Sequence, residues 1–249
     1  MPDVFWQNKV RAIEERIARK EDMSKFLHWP EISSTCYAAS VPDIQDKFSI
    51  IPIDWYEALV EDPYGSPTPS KVYPKSSDNL IQQAYHLRIF EELSQARIYE
   101  FNVFFEIGGG YGAMARLVRR MGCYGIYMIL DLPVMNALQD LYLRKAGVSW
   151  ISYCSTDTKL DETIKFRPEV VFGIHSVSEM SIQEREYLVN NLKPKKWFFA
   201  FGQKFENRID NYRWFFGKLP QILPQYSWRS FSKPPTYYML GECSDVNNL

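Results

Sequence analysis

The sequence predicts an α/β protein: a doubly wound, mostly parallel seven-stranded sheet with a C-terminal antiparallel hairpin and a helical N-terminal extension. Three observations carry this expectation. From residue 101 onward, short apolar runs alternate with helical patterns, the mark of parallel strands joined through helices. The stretch FFEIGGGYGAMARL (Phe104 to Leu117) places four glycines within five residues, between one such run and one such helix. Near the end, YSWRSF and TYYML flank SKPP with no helical pattern between them.

The elements follow in order. An amphipathic helix is expected around Lys9 to Glu21, with Val10, Ile13 and Ile17 on one face. Pro30, Pro42 and Pro52 then interrupt any long helix. DPYGSPTPSKVYP (Asp62 to Pro74) holds four prolines and a glycine, so it reads as an extended loop: a boundary, or a flap over a site. The chain therefore divides into an extension, residues 1–75, and a main domain, residues 76–249. Ser76 to Asp78 offers an N-cap for a helix bearing Leu80, Ala84, Leu87, Phe90 and Leu93.

FNVFFEI (Phe101 to Ile107) is nearly unbroken in its apolarity, as expected of a strand buried on both faces. The next helix carries Met114, Leu117, Val118 and Met121 on one side, with Arg116, Arg119 and Arg120 on the polar side. YGIYMIL is the second strand, and VMNALQDLYLRKAG a helix ending at Gly147. SWISYCS, EVVFGI and KWFFAFG are the third, fourth and fifth strands, with a helix from about Ile182 to Leu192 before the fifth. The terminal pair, Tyr226 to Phe231 and Thr236 to Leu240, closes the sheet edge.

Composition narrows the function classes. The chain has 249 residues, 46% hydrophobic and 24% charged, which fits a globular protein and excludes disorder over most of its length. A net charge of −1 provides no field to draw it to nucleic acid, and the KPKK run (Lys193 to Lys196) reads as a solvated turn. Cys36, Cys123, Cys154 and Cys243 lie far apart with no C-x-x-C pair, which argues against a zinc site or disulfide scaffold and suits a reducing compartment. No stretch approaches a membrane span and the N-terminus lacks a signal-peptide core, so a cytoplasmic protein is expected.

The glycine spacing is E-x-G-x-G-x-G: Glu106, Gly108, Gly110 and Gly112, with Gly109 in addition. A strand, a glycine turn and a helix N-terminus together bring bare backbone amides to a ligand. Two ligand classes compete. The dinucleotide fingerprint is met by Gly108, Gly110 and Ala113, with Asp131 lying 23 positions beyond Gly108 at the end of the next strand. That reading gives an NAD(P)-dependent oxidoreductase. S-adenosylmethionine also calls for an acid there, to accept from both ribose hydroxyls. Three features favour the second ligand: the acidic Glu106 before the glycines, the roughly hundred residues ahead of the first strand, and the terminal antiparallel pair.

EIGGGYGAMARL, ILDLPVMNALQDLYL and IHSVSEMS, in that order, resemble the sugar O-methyltransferase family of the Rossmann-like class I S-adenosylmethionine-dependent methyltransferases. The resemblance covers residues 78–202. It implies S-adenosyl-L-methionine as cofactor, held by Glu106, Gly108, Gly109, Gly110, Tyr111 and Gly112 around its methionine part and by Asp131 at the ribose. Leu132 would pack on the adenine and Asp157 would meet its amino group; the competing reading of Asp157 is an exposed turn residue. The implied acceptor is a small molecule or glycan, with no nucleic acid, no membrane insertion and room for a homo-oligomer.

Strand carboxyl ends in an open α/β sheet face the ligand. His175 follows the fourth strand, and Ser181 to Glu184 fits a capping box that leaves His175 to Met180 as a loop. Methyl transfer needs the acceptor hydroxyl aligned and deprotonated, and histidine has the closest unperturbed pKa for that task. His175 is therefore the candidate base, and Glu179 the residue that orients it or binds sugar hydroxyls. The bland reading is a histidine bonded to backbone and a glutamate capping the helix. His28 and His86 read as structural, whereas Tyr64, Tyr73, Tyr212 and Trp214 lie in segments able to border a sugar cleft. Asp157, Asp161 and Glu162 could form an acidic cluster, but nothing in their spacing demands a metal ion. A catalytically silent module of the same fold remains the rival outside the enzymes.

Overall fold

A computed structural model of the chain describes residues 4–156, 167–205 and 209–244. The chain gathers into two compact units, each drawn from several stretches of sequence. One comprises residues 1–88, 109–124 and 131–151, and the other residues 89–108, 125–130 and 152–249.

The second unit is built on the sheet. Its strands are β1 (Val103–Ile107), β2 (Ile126–Asp131), β3 (Ile151–Ser155), β4 (Val170–Ile174), β5 (Lys196–Gly202), β8 (Tyr226–Lys233) and β9 (Thr236–Cys243). A separate two-stranded ribbon pairs β6 (Lys204–Phe205) with β7 (Ile209–Asp210). The seven-stranded order is β3-β2-β1-β4-β5-β9-β8. β1 pairs in parallel with β2 and β4, and β4 with β5, while β9 runs antiparallel between β5 and β8. The unbroken apolar runs become central strands because both faces are covered. Phe104, Phe105, Ile107, Val170, Val171, Phe172, Phe198 and Phe199 are all fully buried. Phe104 stacks between Tyr127 and Phe172, with ring centroids 5.7 and 6.2 Å away. The terminal hairpin is longer than the sequence suggests, reaching Lys233 and Cys243, because the pair closes tightly with Lys233 opposite Thr236. Edge strand β8 is mostly exposed and polar, which protects it from further pairing.

The first unit holds the N-terminal residues together with the helices that follow β1 and β2. Its helices are α1 (Val4–Ala18), α2 (Pro30–Ser33), α3 (Ile44–Ser49), the start of α4 (Asp78–Ser94), α5 (Ala113–Arg120) and α6 (Pro133–Lys145). Ser77 caps α4 through its hydroxyl, which accepts from the Leu80 amide at 3.1 Å. The core is aromatic. Phe26 is fully buried, with Tyr64, Tyr111 and Tyr142 around it at centroid distances of 6.0 to 6.1 Å.

The arginine side of α5 is not solvated as expected. Arg116 is fully buried, its Nε donating to Asp62 Oδ2 at 2.7 Å and its other nitrogens to the carbonyls of Ala58 and Val60. Arg119 is buried too, spanning the carbonyls of Cys123 (2.7 Å) and Trp150 (2.5 Å). Guanidinium groups placed at this spacing serve loop carbonyls, and only Arg120 remains exposed.

No helix among the described residues is long and apolar enough to cross a membrane. None of the four cysteines is joined in a disulfide: Cys123 and Cys154 are buried, and Cys36 and Cys243 half-buried.

Candidate active site

The strand order reverses between β1 and β4, so their carboxyl ends form the switch point at which open α/β sheets bind ligands. The glycine turn begins there. Gly108 and Gly110 have φ of 68° and 57°, a region that side-chain-bearing residues enter only at a cost, so both positions call for glycine. The Gly108 amide donates to Leu130 O at 2.8 Å, carrying the β1–β2 ladder one residue past the strand. A Cβ on Gly108 would lie 2.3 Å from Ser176 Cβ, and one on Gly110 would lie 3.0 Å from Cys36 Cβ. The close approaches that the glycines permit are thus used by the protein's own side chains.

Asp131 ends β2 and is buried. Its Oδ1 accepts from the Leu132 amide at 2.8 Å and its Oδ2 from Gln139 Nε2 at 2.7 Å, and the nearby amides of Gly109 and Gly110 also favour its charged form. Burial dominates these donors and pushes the Asp131 carboxyl up to about 7. Gln139 Nε2 donates in addition to Gly110 O at 2.9 Å, and Asn136 Nδ2 to Asp131 O at 3.5 Å. The expected partners Gly109, Gly110, Asp131 and Leu132 therefore converge in the first unit. In kind they fit an adenosyl amino acid: amides for an anionic tail, a carboxylate for a vicinal diol. In this arrangement, however, that carboxylate is already served by protein donors.

The ring of Tyr111 turns away from the amides into the aromatic core. It is 1% exposed, its hydroxyl accepts from Asn79 Nδ2 at 3.0 Å, and burial pushes its phenol well up. Glu106 is buried inside β1, where its Oε2 accepts from the Tyr127 hydroxyl at 2.8 Å.

In the second unit, His175 stands at the end of β4 with φ of 62°, its amide donating to Ala200 O at 2.7 Å. Its half-buried imidazole is pushed down to about 4 by loss of hydration. At neutral pH that shift favours the uncharged imidazole. Residues Val177–Glu179 form a single 3₁₀ turn inside the expected loop, with Glu179 half-buried at its end. The Ser176 hydroxyl donates to Ile107 O, tying this turn to the tip of β1. The capping box forms as the spacing predicts, with Ser181 Oγ accepting from the Glu184 amide at 3.3 Å, and starts the helix Ile182–Asn191.

That helix contributes Arg185, fully buried, which donates to Met180 O (3.0 Å), Ser178 O (2.6 Å) and Asn211 Oδ1 (2.8 Å). Asn211 in turn donates to Gly202 O at 3.0 Å, so the turn after β4 is linked to the end of β5. Burial pushes the Arg185 guanidinium down to about 10.

Asp157, Asp161 and Glu162 lie outside the described residues. Among the described residues no group of three or more His, Cys, Asp or Glu side chains is arranged to hold a metal ion. Of the aromatic candidates, Tyr64 packs on Phe26, Tyr73 stacks on Phe48 at 5.5 Å, and Trp214 is buried under Arg185; Tyr212 is 48% exposed. His28 bonds to Ser66 O at 2.6 Å, and His86 is buried against Gln82 Nε2 at 2.9 Å. Sequence reasoning missed Cys36, Gln139, Ser176 and Arg185. For Gln139 a signal existed: Asn136 and Gln139 are polar residues three apart among the apolar positions of the helix that leaves Asp131.

No protein-family model matches the chain, and no curated protein matches it in sequence. Solved structures do resemble it. The methyltransferase domain of bacterial CtHen1 superposes with a TM-score of 0.51 at 12% identity, over 66% of this chain and 100% of that domain. An O-methyltransferase family protein from Burkholderia thailandensis gives 0.48 at 11% identity, over 68% of this chain and 61% of that one. The 16S rRNA methylase RmtB gives 0.48 at 10% identity, over 95% and 90%. With the strand order, the first of these shows the fold: the chain has the Rossmann-like architecture of the methyltransferases, a mostly parallel seven-stranded sheet with an antiparallel β8–β9 hairpin.

Proposed function

We propose that this protein is an S-adenosylmethionine-dependent O-methyltransferase whose acceptor is a sugar hydroxyl, on a nucleotide sugar, a surface glycan or a glycosylated natural product. The observation that carries the reading is the left-handed glycine turn brought beside Asp131 at the tip of β2, where Gln139 Nε2 reaches both Gly110 O and the Asp131 carboxylate. A dinucleotide would use the same turn; the acidic Glu106 in β1 and the terminal antiparallel pair favour the sulfonium cofactor.

When bound, that cofactor supplies an activated methyl group. Gly108 to Gly112 hold its amino-acid part, Asp131 the ribose and Leu132 the adenine edge, with Asp157 on the amino group. The chain's remaining task is to orient the acceptor hydroxyl and remove its proton. His175 takes that proton; being neutral at physiological pH, it needs no prior deprotonation, although its low basicity calls for a well-aligned acceptor. Glu179 orients His175 or binds the neighbouring sugar hydroxyls. Residues 76–249 carry the proposed cofactor and catalytic residues, and residues 1–75 form the N-terminal extension, in a cytoplasmic enzyme.

Calorimetry with S-adenosylhomocysteine and NADH tests the cofactor: binding of NADH alone overturns the reading. Transfer of a labelled methyl group to nucleotide sugars and glycans, with ribosomal RNA alongside, tests the acceptor. Labelling of RNA and no sugar would replace the sugar assignment.

A further inference from the structure

Both oxygens of Asp131 already accept from the protein's own groups. A carboxylate offers about four lone-pair positions. Here the Leu132 amide donates to Oδ1 and the Gln139 side chain to Oδ2, so each oxygen already has a protein donor. A vicinal diol, donating one hydrogen bond to each oxygen, would meet a protein donor at both. One of the two donors, the Leu132 amide, is a backbone group fixed at the start of α6. Only Gln139 sits on rotatable bonds.

Gln139 also takes a second position that a ligand would need. Its Nε2 reaches Gly110 O, so one amide nitrogen bridges the turn carbonyl and the carboxylate. An amino acid joined to a ribose presents the same two donors, an ammonium and a hydroxyl. Gln139 is fully buried, and its Oε1 has no hydrogen-bond partner among the described residues. The side chain therefore holds this pose with its own acceptor unsatisfied, a cost that leaving the pose removes.

We propose that Gln139 is a latch on the cofactor site, an internal stand-in for cofactor donors that must swing away from Asp131 and Gly110 before the nucleoside binds. The inference rests on the cofactor reading above and adds to it a residue that sets cofactor affinity.

The test is calorimetric titration of S-adenosylhomocysteine into the wild-type chain, Gln139→Met and Gln139→Leu. Both variants keep most of the side-chain volume and remove the donor, and ligand-free melting confirms that each is folded. Removing one competing hydrogen bond should tighten binding by about threefold to tenfold. Binding by the variants but not the wild type would support the latch most directly. Wild-type binding that is unchanged or weaker in both variants would overturn the latch while sparing the cofactor reading. Binding by none of the three would remove the cofactor reading, and the latch with it. A second measurement needs no variant: the side-chain amide resonance of Gln139 should shift, and its hydrogen exchange quicken, when S-adenosylhomocysteine is added. A resonance that stays put at saturation would overturn the proposal.

Discussion

Asp131 and His175 are displaced in opposite directions by the same cause, burial, and the signs make them separable. The Asp131 carboxyl is raised to about 7, so its contribution to stability is fully present below its unfolded pKa near 4 and is lost as the pH rises toward 7. The His175 imidazole is lowered to about 4, so its contribution is present above about 6.5 and is lost as the pH falls toward 4. Asp131→Asn removes the first dependence alone. Its melting temperature relative to wild type should therefore climb steadily between pH 4 and pH 8; a constant offset across that range would mean Asp131 is not held protonated by its surroundings. His175 asks a different question because its backbone is left-handed. Asparagine tolerates that conformation better than most residues, so His175→Asn should change stability by less than about 1 kcal/mol. Methyl transfer should nevertheless fall by about a hundredfold or more if the imidazole is the base. Full turnover in a stably folded His175→Asn would remove it from the mechanism.

The elements themselves were legible to different degrees, and the reason is how each buries its side chains. Strands β1, β4 and β5 could be read directly, since a strand covered on both faces shows an unbroken apolar run. The capping box at Ser181 was legible because a cap is local chemistry within four residues. Helix α5 was misread on its arginine side. Pattern alone assigns charge to solvent, whereas Arg116 and Arg119 are buried by carbonyls from segments far away in sequence. The site shows the same division. The glycines and Asp131 announced themselves by spacing, but the residues that fill the space around them, Ser176, Cys36 and Gln139, arrive from other elements and left little trace in the sequence. Gly108 joins the two kinds of information. Gly108→Ala brings a methyl group to 2.3 Å from Ser176 Cβ and forces a left-handed φ on a residue with a side chain. The combined cost should reach about 3 kcal/mol. Adding Ser176→Gly should recover the collision but not the backbone penalty, leaving about 1 kcal/mol unrecovered. Denaturant unfolding of the single and double variants measures both parts, and complete recovery would show that only the contact mattered.

At the scale of the whole chain, a cut near residue 75 is attractive in sequence because Asp62 to Pro74 is rich in proline, yet the contacts of the first unit cross that position repeatedly. Arg116 on α5 is held by Asp62, Ala58 and Val60, and Tyr111 and Tyr142 pack on Phe26. Tyr37 completes the cluster against Tyr111 at 6.1 Å, and Cys36 lies directly against Gly110. A fragment comprising residues 76–249 would leave a fully buried guanidinium without its carboxylate and carbonyls and would bare several aromatic rings beside the glycine turn. Arg116→Met, which breaks the same buried pair within the intact chain, should cost about 3 kcal/mol. The fragment loses that pair together with the aromatic burial, each large ring being worth about 2 kcal/mol or more. Losses of that size match the entire stability of an ordinary domain. The fragment should therefore melt without cooperativity and bind no S-adenosylhomocysteine, while the full chain does both normally. A fragment that melts in one sharp transition and binds with full-chain affinity would show the N-terminal segment to be a detachable cover. The expected failure would instead make residues 1–75 part of the wall on which the glycine turn is built, so that cofactor affinity would depend on the N-terminal segment as much as on the glycines.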